Sequence, residues 1–260
     1  MNKTTPYVLI GITSLVALAL LVWGPSIAPH MKTPQQQEQS PVTVTPVEHA
    51  SLALSWAATT ALIDPVGSST QYASLPAPDI IFITHIHPDH FSTTTLEAVA
   101  ASSTIIVAPQ NVADQLPARL KARAVVMHNG DAQAVGPLSV TAVPAYNLRP
   151  EAAQFHPKGR DNGYVLEKDG YRVYIAGDTE GTPEMRALKD IDVALIPMNL
   201  PYTMTVEEAA DAVAAFAPKT VYPYHYRGQD GLSDTAAFKE LVGKGSPGTS
   251  VMLENWYPEQ

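Results

Sequence analysis

One twelve-residue stretch constrains this chain more than any other: Asp79-Ile80-Ile81-Phe82-Ile83-Thr84-His85-Ile86-His87-Pro88-Asp89-His90. Its first half is apolar and β-branched over the length of a strand, which predicts a buried β-strand. Its second half places three imidazoles and a carboxylate within six residues. The whole chain has only 8 His, so a solvated loop that holds three of them by chance is the weaker alternative. A buried strand gives such a cluster a rigid base, and Pro88 is expected to stop it. In extended or turning backbone His85 and His87 face the same side, and Asp89 and His90 follow where a loop can wrap round a second centre. Neutral imidazole and carboxylate are the ligands taken by Zn²⁺ and similar divalent ions.

Composition narrows the rest. With 260 residues, 45% of them hydrophobic, the chain can build one large domain with a sizeable core. A net charge of −9 argues against a general nucleic-acid binder, which needs a basic surface. The absence of cysteine excludes disulfides, a thiolate nucleophile and Cys-ligated zinc.

Near the N-terminus, Lys3 precedes an almost unbroken apolar run from Tyr7 to Trp23, at the short end for a membrane span. A cleaved signal peptide with Ser26-Ile27-Ala28 at its cleavage site competes with an uncleaved anchor. Pro29 directly after Ala28 and the length of the run favour the anchor. Three segments follow from this: an anchor or signal over residues 1–28, a Pro/Gln-rich linker over 29–46 and a globular domain over 47–260. The expected location is membrane-anchored, or secreted after cleavage, with the domain periplasmic or extracellular.

Within the body, Val47 to Val66 predicts two strands ending at the turn Asp64-Pro65, with Leu52, Leu54 and Trp56 inward. His49 precedes the first of them and reads as a packing histidine, with a place at the edge of the site as the lesser alternative. A helix capped at Ser92 or Thr94 is expected to run through Ala101, with Glu97 available to box Thr94. Thr104 to Ala108 predicts a strand, Asn111 to Arg123 a helix broken at Pro117, and Leu138 to Val143 another strand. Residues 147–163 read as a long surface loop. Asp169-Gly170 predicts a tight hairpin between Tyr164–Glu167 and Arg172–Ala176. Ile191–Ile196 and Thr220–Tyr222 predict strands, and Val251–Leu253 a last one. A capping box at Thr205-Val206-Glu207-Glu208 opens a helix to about Ala217, and Leu232–Val242 predicts a final helix. Strands in runs with helices between them point to an α/β sandwich.

Two further strand ends carry chemistry. Gly177-Asp178-Thr179 offers a carboxylate, and Pro223-Tyr224-His225-Tyr226 offers an imidazole. Alone, each reads as a turn aspartate and a packed histidine. Together with the histidine cluster they resemble, over about residues 47–256, the metallo-β-lactamase-fold hydrolases. The resemblance implies an αββα four-layer sandwich with the site at one edge between the sheets. It implies His85 and His87 on a first metal, Asp89, His90 and His225 on a second, and Asp178 shared by both. It further implies a metal-bound hydroxide as nucleophile, oriented by Asp89 as the catalytic residue. The implied cofactor is one or two divalent ions, Zn²⁺ foremost, with Mn²⁺ or Fe²⁺ as alternatives.

One departure stands out. After Pro144-Ala145-Tyr146 the family usually has another first-centre histidine, and this chain has Asn147. Three outcomes stay open: Asn147 ligates and favours harder ions such as Mn²⁺, His156 swings in, or the enzyme runs on one metal. Within the superfamily, the chain is similar to single-domain hydrolases of the L-ascorbate-6-phosphate lactonase-like and, more distantly, N-acylphosphatidylethanolamine phospholipase D-like kinds. Tyr146, Tyr202, Tyr224, Tyr226 and Arg227 are candidates to line the pocket, with Tyr146, Tyr224 and Arg227 as substrate-binding residues and Arg227 for an anionic group. The expected activity is hydrolysis of an ester, lactone, amide or phosphodiester in a small-molecule or lipid-like substrate. The alternatives are a non-catalytic membrane-tethered metal-binding domain and a nuclease of the same superfamily. The sequence does not fix an oligomeric state.

Overall fold

The computed structural model describes residues 1–3, 5 and 40–258. Nearly all of the expected anchor over 1–28, and the linker as far as residue 39, lie outside the described residues. A compact unit runs from Ser40 to Gln260.

The first sheet follows chain order: β1 (Val42–Glu48), β2 (Ser51–Trp56), β3 (Thr59–Ile63), β4 (Ile80–Phe82), β5 (Ile105–Ala108) and β6 (Ala124–Val126). Residues 42–46, expected to close the linker, instead form most of β1, paired antiparallel to β2. From β3 to β6 the strands are parallel. The helices α1 (Thr93–Val99), α2 (Gln110–Ala113) and α3 (Ala118–Lys121) fill the crossovers. The Ser92 side chain caps α1 by accepting from Thr95 N, so the box expected between Thr94 and Glu97 does not form. Pro117 splits the following helix into α2 and α3, as its missing N–H requires.

In the second sheet β7 (Ala132–Val135), β8 (Leu138–Ala145), β9 (Asp161–Lys168) and β10 (Tyr171–Ile175) are antiparallel neighbours. Asp169 and Gly170, both at positive φ, make the two-residue turn between β9 and β10. The strands β11 (Val193–Pro197) and β12 (Thr220–Tyr224) extend the sheet parallel to β10. A two-residue ribbon, β13 (Arg227–Gly228) with β14 (Gly231–Leu232), stands apart, and β15 (Ser250–Val251) closes the edge beside β12. Three helices belong to this half: α4 (Pro183–Arg186), α5 (Val206–Phe216) and α6 (Thr235–Gly245). The capping box at Thr205 and Glu208 opens α5, while α6 starts at its cap Asp234 rather than at Leu232. Both β6 and β7 escaped the sequence reading, because they are short and half-buried or exposed, with little apolar alternation.

Alternation along β4 shows how the chain is layered. Ile80 and Phe82 join a core with Leu52, Leu54, Tyr164, Leu166 and Ile175 of both sheets. Their neighbours Ile81 and Ile83 face the other way, onto Leu96, Val112, Leu116 and Leu120 of the helical side. This period-two split between two apolar faces is why the strand reads as a continuous hydrophobic run. Among the described residues no helix is long and apolar enough to cross a membrane.

Strand direction gathers the chemistry at one edge. Since β8, β10, β11 and β12 all run the same way, the residues after them emerge together. The ends of β3 and β4 and the turn between β1 and β2 do the same in the first sheet. Open α/β sheets bind ligands at such C-terminal strand ends.

Candidate metal centre

The ladder of β4 ends at Phe82, well before Pro88, and the reason is Asp64. Ile83 N still donates to Val107 O, but Thr84 N donates to the Asp64 carboxylate at 2.7 Å. The following residues are thereby released into a tight turn. Asp64 is fully buried and also accepts from Thr84 Oγ1 at 2.6 Å and lies 2.7 Å from His90 Nδ1. Thr84 Oγ1 in turn lies 2.9 Å from His85 Nδ1. With Thr84 Oγ1 donating to the Asp64 side chain, Nδ1 of His85 is placed to donate to Thr84 Oγ1 and Nδ1 of His90 to donate to Asp64. Their Nε2 lone pairs then face the cluster, the arrangement that a carboxylate behind a ligating histidine produces.

Three groups of side chains converge there. His85, His87 and His156 form one, His85, His90 and Asp178 a second, and His49, Asp89 and His225 a third, each with ligand atoms within 4.8 Å of one another. His85 Nε2 is 3.1 Å from His87 Nδ1, which is 3.3 Å from His156 Nε2. Asp178 bridges the two sides. Its Oδ2 is 3.5 Å from His156 Nε2, and its Oδ1 is 3.4 Å from His90 Nε2 and 3.3 Å from His225 Nε2. Asp89 Oδ2 is 3.5 Å from His225 Nε2 and 3.3 Å from His49 Nε2.

Charge inside the cluster is strongly coupled. Burial pushes the Asp178 carboxyl up, but His225 and His90 outweigh it and hold it well below the usual range. Burial also opposes the charged form of His225, yet Asp178 and Asp89 raise it to about 9. His85 is driven well below its ordinary value by burial and by His90, and burial lowers His156 to about 4. At Asp89, hydrogen bonds with His225 and His49 overcome burial and lower the carboxyl.

Divalent metal fits this set on the chemistry of the donors and on two orphaned atoms. His90 Nε2 and Asp178 Oδ1 are buried and have no hydrogen-bond partner. They face each other without hydrogen-bond alignment, as ligand atoms aimed at a shared point do. A buried polar atom left unsatisfied costs about 1–3 kcal/mol, which a cation between them would remove.

The side chains expected to line a pocket are dispersed. A cleft of about 670 Å³ opens beside the third group, lined in part by Glu48, His49, Gln71, Asp89, Arg227 and Tyr257. Arg227 lies there with its guanidinium 4.1 Å above the Tyr257 ring. Tyr224 is not at its surface: it is fully buried against Trp256. Tyr146 is buried with its hydroxyl donating to Glu184, Tyr226 donates to Glu254 O, and Tyr202 packs on Phe155. The loop expected on the surface over 147–163 is partly interior, with Asn147, Ala152 and His156 buried. Sequence reasoning missed Asp64, which reads only as half of an Asp-Pro turn, and gave His49 a place at the edge of the site only as the lesser alternative to packing, whereas the structure sets it beside Asp89 and His225. It also missed Asn199, whose amide nitrogen lies 3.3 and 3.4 Å from the two ring nitrogens of His225. The one available signal for Asp64 was an aspartate directly after a buried strand, much as Asp178 follows β10 at a distance of three residues.

A family model described as a β-lactamase superfamily domain matches residues 43–225. The chain belongs to the metallo-β-lactamase superfamily. Within it, a UPF0173 metal-dependent hydrolase of Pyrococcus abyssi is 34% identical over 192 residues, covering 70% of this chain and 84% of its own. A protein of Parabacteroides distasonis, solved as a candidate metal-dependent hydrolase, is 41% identical with a TM-score of 0.71 over 82% of this chain and 92% of its own. Igni18, a metallo hydrolase from Ignicoccus hospitalis, shares the fold at 22% identity, with a TM-score of 0.68 over 82% of this chain and 95% of its own. This member of the superfamily is a metal-dependent hydrolase with a mixed α/β fold. The expectation of a membrane-anchored protein with its domain outside the cytoplasm does not stand. The relatives carry hydrolase names and match the body of the chain, and no described helix can span a bilayer.

Proposed function

We propose that this hydrolase holds two divalent cations, Zn²⁺ foremost with Mn²⁺ or Fe²⁺ as alternatives, and cleaves an ester, lactone, amide or phosphodiester in a small-molecule or lipid-like substrate. The observation that carries this reading is the pair of orphaned buried atoms, His90 Nε2 and Asp178 Oδ1, at the meeting point of the imidazoles. His85 and His87 would hold one cation and Asp89, His90 and His225 the other, with Asp178 available to both. When bound, the cations lower the pKa of a water toward neutrality and polarise a carbonyl or phosphoryl oxygen.

The chain's own residues do the rest. Asp64 fixes the proton positions on His90 directly and on His85 through Thr84. Asp89, more exposed than His225 and Asp178, lines the cleft and would orient the attacking water from there. His49, hydrogen-bonded between Tyr257 and Asp89, steadies that carboxylate. Arg227, stacked on Tyr257, meets an anionic part of the substrate. A net charge of −9 weighs against a polyanionic nucleic-acid substrate.

A panel of esters, lactones, amides and phosphodiesters, offered to protein whose metal content is measured in parallel, tests the proposal. Turnover that disappears with chelation, returns with Zn²⁺ or Mn²⁺, and falls at least about 100-fold in Asp89→Asn is expected. Metal-loaded protein that leaves the whole panel intact, or an unimpaired Asp89→Asn, would overturn it.

A further inference from the structure

Asn147 occupies the position where the superfamily pattern leads one to expect a histidine, and the structure puts an imidazole beside it from elsewhere in the chain. His156, nine residues further on, is buried, and its Nε2 lies 3.3 Å from His87 Nδ1 and 3.5 Å from Asp178 Oδ2. Its ring centroid is 5.1 Å from that of His85 and 4.9 Å from that of His87. On the far side of the ring, Nδ1 lies 3.2 Å from the carbonyl of Tyr202. A carbonyl only accepts, so Nδ1 carries the proton and the Nε2 lone pair faces the cluster.

The Asn147 side chain is turned toward the loop. Its Nδ2 donates to Tyr202 O at 2.7 Å and to Ala152 O at 3.0 Å, which uses both of its N–H groups. Those two carbonyls fix which end of the amide is nitrogen, because an oxygen there would face two other oxygens. The Asn147 backbone N–H donates to His156 O at 2.9 Å, closing the loop on itself. Asn147 Nδ2 also lies 3.2 Å from His156 Nδ1, with both of its hydrogens already given to the two carbonyls, so the amide packs behind the His156 ring. The loop is held from outside by Glu180, whose Oε2 accepts from Leu148 N and Arg149 N while Oε1 pairs with Arg149 Nε.

We infer that the third imidazole of the first metal position is His156, and that Asn147 is its positioning residue, holding the Tyr202 carbonyl and the loop backbone that orient the ring. This rests on the metal reading above and settles which of the two side chains completes that position. A ligand has been displaced along the chain while its point of arrival is kept. The vacated position has become the support for its replacement.

The test is metal stoichiometry and Co²⁺ absorption on the full chain, with circular dichroism reporting folding. Wild type is expected to take two Co²⁺. His156→Gln should take one and lose part of the visible absorption. Asn147→Ala should keep two sites but bind one of them about 10–100-fold more weakly, the usual effect of removing an outer partner of a ligating histidine. Asn147→His in the His156→Gln background should recover the second Co²⁺, which a purely structural role for either residue would not produce. The inference is overturned if His156→Gln binds two Co²⁺ with wild-type affinity, or if Asn147→Ala loses a site while His156→Gln does not. Wild type that takes no Co²⁺ overturns the metal reading itself, a result distinct from either.

Discussion

Asp64 shows how much one side chain carries at this site. It collects Thr84 N, Thr84 Oγ1 and His90 Nδ1 at zero exposure, and it does so at a backbone φ of 44°. Asp64→Ala would orphan those donors at about 1–3 kcal/mol each, so denaturant unfolding should show a large loss of stability. The subtler Asp64→Asn should stay folded and lower metal affinity about 10–100-fold in a chelator competition. His49 and His225 also sit at positive φ, 51° and 47°. Three site residues in this sparsely populated region cost roughly 1–3 kcal/mol each, and the surrounding core must supply that stability. The raised histidines add a pH signature to the metal-free chain. His225, at about 9, and His90, also raised, bind protons more tightly folded than unfolded. The stability they contribute is complete below the unfolded value near 6.5 and is lost as pH rises through the folded value. His49, His85, His87 and His156 are lowered, hence neutral in both states above that value, and do not offset the loss. Urea unfolding in chelator should therefore show stability falling between about pH 6.5 and 9. Bound metal displaces those protons, so the loaded protein should lack that slope. An identical slope with and without metal would contradict the assignment of His225 as a ligand.

Among the elements, the parallel strand ends do the organising, and one glycine sets how closely the two sheets approach there. Gly177, between β10 and Asp178, has φ +66°, and an added Cβ would lie 3.0 Å from Thr84 Cβ. Gly177→Ala thus combines a left-handed backbone cost of about 1–2 kcal/mol with a push against the residue before His85. Lower thermal stability together with weaker metal binding is expected, measured by melting and by metal titration. Thr205→Ala at the start of α5 is the contrast: loss of its cap should cost about 1 kcal/mol and leave metal stoichiometry unchanged. If Thr205→Ala also removed metal, the site would depend on global stability rather than on local geometry. The elements that sequence periodicity located best, such as the β9–β10 hairpin and α5, are those whose turn or cap chemistry is local. The boundary at Phe82 was misplaced because the side chain that ends β4 lies 20 residues away in sequence.

For the molecule as a whole, a bound metal would act as part of the fold. A ligand that binds only the native state stabilises it by about 2.7 kcal/mol at 100 times its Kd, so chelation should lower the melting temperature and re-addition restore it. The seven imidazoles and carboxylates proposed as ligands come from the first sheet's β4 end and from three separate segments of the second half, so unfolding either sheet would disperse them. A melting temperature unmoved by chelator, in protein shown to contain metal, would count against this coupling.

Residue types and spacing were enough to mark the metal-dependent class and its candidate ligands, because three histidines and an aspartate after an apolar strand have few other uses. They were also enough for the alternation of sheet and helix, since period-two and capping patterns are local. Only the tertiary structure brought His156 beside His85 and His87 where Asn147 interrupts the pattern, and showed which candidate tyrosines are buried away from the cleft. It also revealed Asp64 as the group behind His90 and, through Thr84, behind His85. Each of those depends on which strand ends share an edge, and that is set by long-range sheet order, which no local spacing encodes.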